Sequence, residues 1–523
     1  MKASSVTRIF ACLLLQLFCL LNGQAAEEAR PNIVIMMLDD LGYSDFGCYG
    51  SEIRTPHIDA LAAGGLRFRN FHNTAKCHSS RVALLTGLYS DQAGDAKMDR
   101  AITVAEAMKP LGYRSLMVGK WHLSKSPTER GFDRYFGHLS GATNFFKGDH
   151  TFRLDGEKWS DFGPDFYTTD ANIKFAKGFV ADSLEKHQDK PFLLYIAHNA
   201  PHYPLHVRKE DFERYRGIYE KGWDQIRAGR YQKQLASELI PKTWKLSARP
   251  QMVPEWSALD EDQQKLEVRR MMAFAGMVDR VDQTTGDLIQ FLKDKGVYEN
   301  TIIMICSDNG ACPFDRTKNG EKDPWDPESY WCYDTGWSHV GNTPFRLHKQ
   351  NQHGGGINTP LIVHWPAGLK ATAGSVVEER GHLVDLLPTC LELAGAEMPS
   401  DSRVKLPQAL AGRSLVPIIE GKGRSDEGRE YFFRFSDNRA LIVDDWKLVT
   451  HRASRWELYQ IREDGTELND LAAQQAQRVQ QMSKRWRQLA EDPGKLGQQQ
   501  IRPVKDKAPP ILKKDGTPLK KSK

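Results

Sequence analysis

The stretch Ile33-Val34-Ile35-Met36-Met37-Leu38-Asp39-Asp40 sets an unbroken apolar run against two consecutive carboxylates. Apolar residues without polar alternation read as a strand buried on both faces, the habit of parallel sheets, and the run is too short for a core helix. The pattern recurs at Tyr113 to Val118, Phe192 to Ile196, Thr301 to Cys306 and Leu361 to His364. Between these runs, Thr103 to Lys109, Ala171 to Ser183 and Leu266 to Lys293 have helical periodicity, with Met271, Met272, Phe274 and Met277 placed for core packing. Strands alternating with helices predict an α/β fold, a large mixed, mostly parallel sheet sandwiched by helices.

From about residue 430 the pattern changes to short amphipathic strands, Tyr431 to Phe435, Arg439 to Val443, Trp446 to Thr450 and Trp456 to Tyr459, separated by Asp-Asn and Asp-Asp turn signals. That favours an antiparallel meander, with a helix from about Leu468 to Leu489 able to pack on it. The expected organisation is a main domain over residues 26–400, a smaller C-terminal antiparallel subdomain over 401–495, and a basic tail over 496–523. The aromatic residues between 323 and 337 are read as staples of a long loop.

Residues 1–25 read as a cleaved secretory signal: Lys2 and Arg8, an apolar run from Ile9 to Leu21, then Gly23-Gln24-Ala25-Ala26. The run is shorter than the roughly 20 residues needed to span a bilayer, and no later segment reaches that length, so no stable membrane insertion is expected. The formal net charge is +5 over 523 residues. Residues 502–523 alone contribute about +6, so the remainder is near neutral and nucleic acid is not an expected partner. Export permits disulfides among Cys48, Cys306, Cys312, Cys332 and Cys390, with Cys312–Cys332 the pair singled out.

Polar clusters begin where four of the predicted strands stop. Asp39-Asp40, Lys120-Trp121-His122, His198 to His202 and Ser307-Asp308-Asn309-Gly310 follow the runs ending at 38, 118, 196 and 306. Ligands of open α/β sheets bind at the carboxyl ends of strands, so one pocket can collect all four. Asp39, Asp40, Asp308 and Asn309 form an all-oxygen set suited to a hard divalent cation, and calcium is preferred for its forgiving geometry and its abundance outside the cell.

The segment Lys76-Cys77-His78-Ser79-Ser80-Arg81-Val82-Ala83-Leu84-Leu85-Thr86-Gly87 resembles the sulfatase pattern C-x-P-S-R-x-x-x-x-T-G, with Ser79 where the pattern has proline. Gly119-Lys120-Trp121-His122 looks like the family's G-K-W-H element, and Ala200-Pro201-His202-Tyr203-Pro204 is similar to its P-H-x-P loop. Lys349, Gly355, Gly356 and Pro360 match K-x-x-x-x-E-G-G-x-x-x-P, with Gly354 at the glutamate and Asn358 at a frequent arginine position. The resemblance covers roughly residues 31 to 490. It is to the formylglycine-dependent (type I) sulfatases of the alkaline-phosphatase-like superfamily.

That resemblance implies a hydrolase of sulfate monoesters in which Cys77 is oxidised by a formylglycine-generating or sulfatase-maturating enzyme to formylglycine (3-oxoalanine). Its hydrate would attack sulfur beside one calcium ion held by Asp39, Asp40, Asp308, Asn309 and residue 77. Arg81, Lys120 and Lys349 would grip the sulfate, His202 with Lys349 would protonate the leaving alcohol, and His122 would restore the aldehyde. Asn144, His206 and His353 are expected substrate contacts at the rim. A carbohydrate sulfate is the expected substrate, and the location is periplasmic or secreted. Two other readings stand beside it: a phosphodiesterase or phosphonate hydrolase of the same superfamily, and a silent sulfoglycan-binding relative.

Overall fold

The computed structural model describes residues 30–397, 401–491, 501–505 and 507. The signal segment and most of the basic tail lie outside the described residues.

The main sheet contains β1 (Asn32–Leu38), β2 (Leu66–His72), β3 (Arg114–Gly119), β4 (Arg134–His138), β5 (Phe152–Leu154), β6 (Glu157–Lys158), β7 (Phe192–Ala197), β8 (Thr301–Ser307), β9 (Asn358–His364), β10 (Val376–Val377) and β11 (Gly381–His382). Their order is β10-β2-β9-β8-β1-β7-β3-β4-β5-β6, with β11 also on β2. The centre, β8-β1-β7-β3-β4, is parallel, whereas β9 runs antiparallel to both β8 and β2.

The absence of alternation in β1 has the expected cause. Val34, Met36 and Leu38 enter one core with the helices Thr168–Lys186 and Glu261–Asp294, where Met271, Met272, Phe274 and Met277 are buried. Ile33, Ile35 and Met37 enter the other, against the helices Cys77–Thr86 and Leu386–Leu393. With side chains pointing alternately to two covered faces, every position must be apolar.

A separate antiparallel sheet follows: β12 (Glu430–Phe435), β13 (Asn438–Val443), β14 (Trp446–Thr450) and β15 (Glu457–Gln460), in sequential order. One face packs on Met482, Trp486 and Ala490 of the helix Ala476–Glu491. The other sets Tyr431, Phe433, Ile442 and Tyr459 against Ala75 and Ile357 of the main body. This helix begins later than the sequence suggests, since turns occupy 472–475.

Cys312 and Cys332 are both buried and both free thiols, so the disulfide singled out from sequence is not formed. The aromatic staple is present: Trp331 and Trp337 are buried, Trp331 Nε1 donates to Lys322 O (2.8 Å), and Tyr333 stacks on Phe274 with centroids 4.4 Å apart.

Candidate active site

Register in the sheet brings the four clusters together. Leu38 pairs with Ser307, Met37 with Ala197, and Gly119 with Ala197, so four neighbouring strand ends lie level at one edge. The chain leaves that edge still hydrogen bonded across it: Asp308 N donates to Leu38 O (3.1 Å), His198 N to Met37 O (2.9 Å) and Lys120 N to Ala197 O (2.7 Å). Asp40 (φ 67°) and His122 (φ 58°) then take left-handed backbone conformations, which Asp and His tolerate better than most residues. Such positions cluster at functional sites.

Cys77 is the first residue of the helix Cys77–Thr86, and Arg81 follows one turn later on the same face. The motif's remaining residues build that helix. Thr86 Oγ1 donates to Val82 O (2.7 Å), and Gly87 (φ 66°) ends the helix in the left-handed region with its N–H on Ala83 O. Ser79 lies in the first turn, where a backbone N–H has no intrahelical acceptor, so serine and proline suit the position equally. Its hydroxyl lies 2.6 Å from Thr74 Oγ1 and donates to Lys76 O (3.0 Å), tying the helix start to the preceding loop.

The ligand atoms of Asp39, Cys77 and Asp308 lie within 4.8 Å of one another, as do those of Asp39, Asp40 and His202. All five residues are buried. Arg81 Nη2 is 3.1 Å from Asp308 Oδ2 and 3.8 Å from Asp39 Oδ2, while Nη1 donates to Lys120 O (3.0 Å). Lys120 Nζ bonds Asp39 and Lys349 Nζ bonds Asp40. His202 Nε2 faces Asp40 Oδ2 at 3.6 Å, and its Nδ1 lies 2.6 Å from Tyr203 O. Asn309 Nδ2 donates to Asp40 Oδ1 (2.6 Å), and Asp40 N to Asp308 Oδ1 (3.2 Å).

Charge is unevenly met here. Burial works to raise the carboxyl of Asp39, but Lys120, His202, Arg81 and Lys349 hold it well below the usual range. Asp308 goes the other way, because burial and then the neighbouring Asp39 outweigh Arg81. Burial also works to raise the Cys77 thiol, yet Lys349, Lys120 and Lys76 draw it down to about 6. His122 is pushed well down, first by burial and then by Lys120 and Arg81.

Buried oxygens rarely go unpaired. Here Asp39 Oδ1, Asp40 Oδ2 and Asn309 Oδ1 accept no hydrogen bond, and Arg81 Nε and His122 Nδ1 have no partner either, among the described residues. Oxygens from two carboxylates and an amide, beside a third carboxylate, fit a hard divalent cation. The unpaired nitrogens suit an anionic substrate on the other side.

Close backbone approach explains the glycines of the last motif. A Cβ on Gly310 would lie 1.8 Å from Gly355 O, and one on Gly355 would lie 2.1 Å from Leu347 O. Gly354, at the pattern's glutamate position, donates its N–H to Glu467 Oε2 (2.9 Å) from the C-terminal part, and a Cβ there would lie 2.8 Å from Phe345 Cδ1.

The three residues expected at the rim have other work. His206 is fully buried, with Nε2 bonded to Ser329 O (2.8 Å) and Nδ1 accepting from Phe145 N (3.3 Å). His353, also fully buried, faces Glu457 Oε2 at 3.1 Å and ties the two sheets together. Asn144 spends its amide on Pro327 O (2.6 Å) and on the N–H groups of Phe146 and Lys147. A single sequence carries no signal separating such braces from substrate contacts. Lys76, beside Cys77, Tyr203, beside His202, and Arg316, beside Tyr203, went unselected for the same reason.

Comparison with known proteins bears on this geometry. A family model described as Sulfatase matches residues 31–396, and one described as N-sulphoglucosamine sulphohydrolase, C-terminal, matches 347–492. An arylsulfatase of Klebsiella aerogenes is 30% identical over 449 residues, covering 77% of this chain and 95% of its own. The human N-acetylgalactosamine-6-sulfatase is 27% identical over 471 residues, covering 83% and 73%. The crystal structure of Ps i-CgsB in complex with k-i-k-neocarrahexaose superposes with a TM-score of 0.66 at 24% identity, over 88% of this chain and 92% of that one. Matched by the family model over most of its length, and aligned with nearly the whole of a 30% identical relative, the chain belongs to the sulfatase family of sulfate-ester hydrolases within the alkaline-phosphatase-like superfamily.

Proposed function

We propose that this sulfatase hydrolyses carbohydrate sulfates, with Cys77 converted to formylglycine and one calcium ion held by Asp39, Asp40, Asp308, Asn309 and residue 77. The observation that carries the reading is the set of unpaired buried oxygens on Asp39, Asp40 and Asn309, next to the Cys77 sulfur. Bound there, the cation supplies fixed positive charge against the carboxylates and against the sulfate oxygens. Formylglycine supplies, as its hydrate, the oxygen nucleophile that a thiol does not.

The chain's own groups do the rest. Arg81 Nε, buried and unpaired, is a free donor for a sulfate oxygen, and Lys120 and Lys349 add two ammonium groups on adjacent sides. Burial at the helix start adds a favourable field of about 0.3–1 kcal/mol for an anion near residue 77. His202 is held by Tyr203 O through Nδ1, leaving Nε2 directed into the site, where the imidazolium form would hand its Nε2 proton to the leaving alcohol, with Lys349 beside it. His122 Nδ1, buried and without a partner among the described residues, is placed to take the proton whose removal restores residue 77.

Carbohydrate substrates are favoured by two of the relatives, an N-acetylgalactosamine-6-sulfatase and a structure holding k-i-k-neocarrahexaose. Export is favoured by the apolar run from Ile9 to Leu21 behind Lys2 and Arg8; no described helix is long and apolar enough to cross a membrane. Conversion of Cys77 then makes a maturating enzyme a required partner. The test is kinetics on matched sulfate and phosphate esters of one alcohol. A kcat/KM preference for sulfate supports the reading; a preference for phosphate favours the phosphodiesterase alternative, and no turnover together with an unconverted Cys77 thiol favours the silent binder.

A further inference from the structure

Beyond the sulfate pocket, a wall of aromatic rings and unpaired cations continues from His202. The Tyr203 ring lies 4.1 Å from the His202 ring, centroid to centroid, and the Tyr330 ring lies 5.9 Å beyond it. Arg316 donates from Nη1 to Tyr203 OH (2.7 Å), with its guanidinium carbon 5.6 Å from that ring's centroid. Lys318 holds its Nζ 6.0 Å from the Tyr330 centroid. Arg316 and Lys318 are exposed, and neither forms an ion pair with a carboxylate among the described residues.

The wall is built rather than incidental. Lys318 and Tyr330 pair their backbones in both directions (2.8 and 3.0 Å), making a short bridge that sets both side chains. Asn319 Nδ2 donates to Glu328 O (2.9 Å) across the same loop. Asn144 and His206, expected at the rim, hold this loop from behind through Pro327 O and Ser329 O. An exposed arginine kept in place by a tyrosine hydroxyl, and left without a carboxylate, is a preorganised anion site.

Resting on the reading of His202 as the donor to the leaving alcohol, we infer that this wall is a leaving-side subsite for a sugar bearing a second anionic group, a sulfate or a carboxylate. Tyr203 and Tyr330 offer apolar faces to the sugar ring, and Arg316 with Lys318 take the anion. The substrate class is then a polyanionic saccharide rather than an isolated monosulfated alcohol.

The experiment measures kcat/KM of the matured enzyme on two saccharides identical at the scissile ester, one carrying the second anionic group and one lacking it. The ratio of the two should favour the doubly anionic substrate by about tenfold or more, carried in KM, the scale of one charge-assisted contact. Arg316→Gln should collapse that ratio towards one, Lys318→Gln should lower it less, and Arg316→Lys should keep part of it. Raising ionic strength should shrink the ratio for the wild-type enzyme, a readout independent of any variant's folding. A wild-type ratio near one, or a ratio unmoved within twofold by both Gln variants, overturns the subsite while the sulfatase reading stands. Absence of turnover on either saccharide and on a small aryl sulfate overturns the underlying reading instead.

Discussion

Two buried acid–base clusters, one around Asp385 and one around Asp39, Asp40 and Asp308, have similar compositions and opposite hydrogen-bond economies. Asp385 is fully buried and saturated. Oδ1 accepts from Arg413 N (2.9 Å) and from Arg429; Oδ2 accepts from His382 N (3.1 Å), Arg429 Nη1 (3.1 Å) and Arg424 Nη1 (3.3 Å). At the strand ends, three cations meet three carboxylates, yet Asp39 Oδ1 and Asp40 Oδ2 remain unpaired. Saturation marks a cluster that holds the fold, and unmet oxygens mark one arranged for a ligand.

The contrast breaks if the two clusters respond alike to neutralisation. Asp308→Asn should lower turnover by about 10³-fold or more, or about 4 kcal/mol of barrier, in steady-state assays of matured enzyme. Because Asp308 is buried against the like charge of Asp39, relief of that repulsion should offset the lost Arg81 contact, so the same substitution should leave the calcium-free melting temperature nearly unchanged. Asp385→Asn should do the reverse. Arg429 and Arg424 would then keep only the carboxylate of Asp426, and losing their fully buried anion costs about 3–5 kcal/mol in denaturant unfolding, with turnover per folded molecule retained.

Ligand linkage sharpens the comparison at smaller scale. Calcium at a hundred times its Kd should stabilise the wild-type protein by about 2.7 kcal/mol, reversed by chelation and absent in Asp308→Asn, while Asp385→Asn keeps the increment. Thermal shift with and without calcium measures it.

The smallest effect concerns buried neutral imidazoles outside the strand-end cluster. Burial pushes His206 down to about 4 and His451 to about 3. His382 is likewise pushed to about 3, and its Nδ1 must stay unprotonated to accept from Val384 N. Folded values lie below the unfolded one, so the unfolded chain binds protons first as pH falls. The stability they protect is present above about pH 6.5 and is lost on acidification towards pH 4, at about 1.4 kcal/mol per pH unit for each ring. Replacing His206 with Gln should remove about one such increment from the pH dependence of unfolding, measured between pH 6.5 and 4.5.

Much of the centre was legible because its chemistry is local. Apolar runs without alternation announced β1, β3, β7 and β8, and the first polar residues after each run had to emerge at the same sheet edge. Pairing direction was not legible: nothing in Leu361 to His364 shows that β9 runs antiparallel between β8 and β2. Neither was β2, whose Leu66–His72 alternates charged and apolar residues near the sheet's edge. The rim escaped because its order comes from tertiary hydrogen bonds. His206 and His353 read as polar residues near the motifs, and only their buried partners Ser329 and Glu457 reveal them as braces. Arg316 sits in a loop with no periodicity, so its unpaired charge beside Tyr203 emerges only in three dimensions.

The central claim, that the unsaturated cluster works on sulfate through an altered residue 77, is tested most directly by the mass of the Cys77 peptide from enzyme that turns over a sulfate ester. The account predicts a carbonyl in place of the thiol, in a fraction that scales with specific activity across preparations. Full activity from protein whose Cys77 is entirely an unmodified thiol would contradict it.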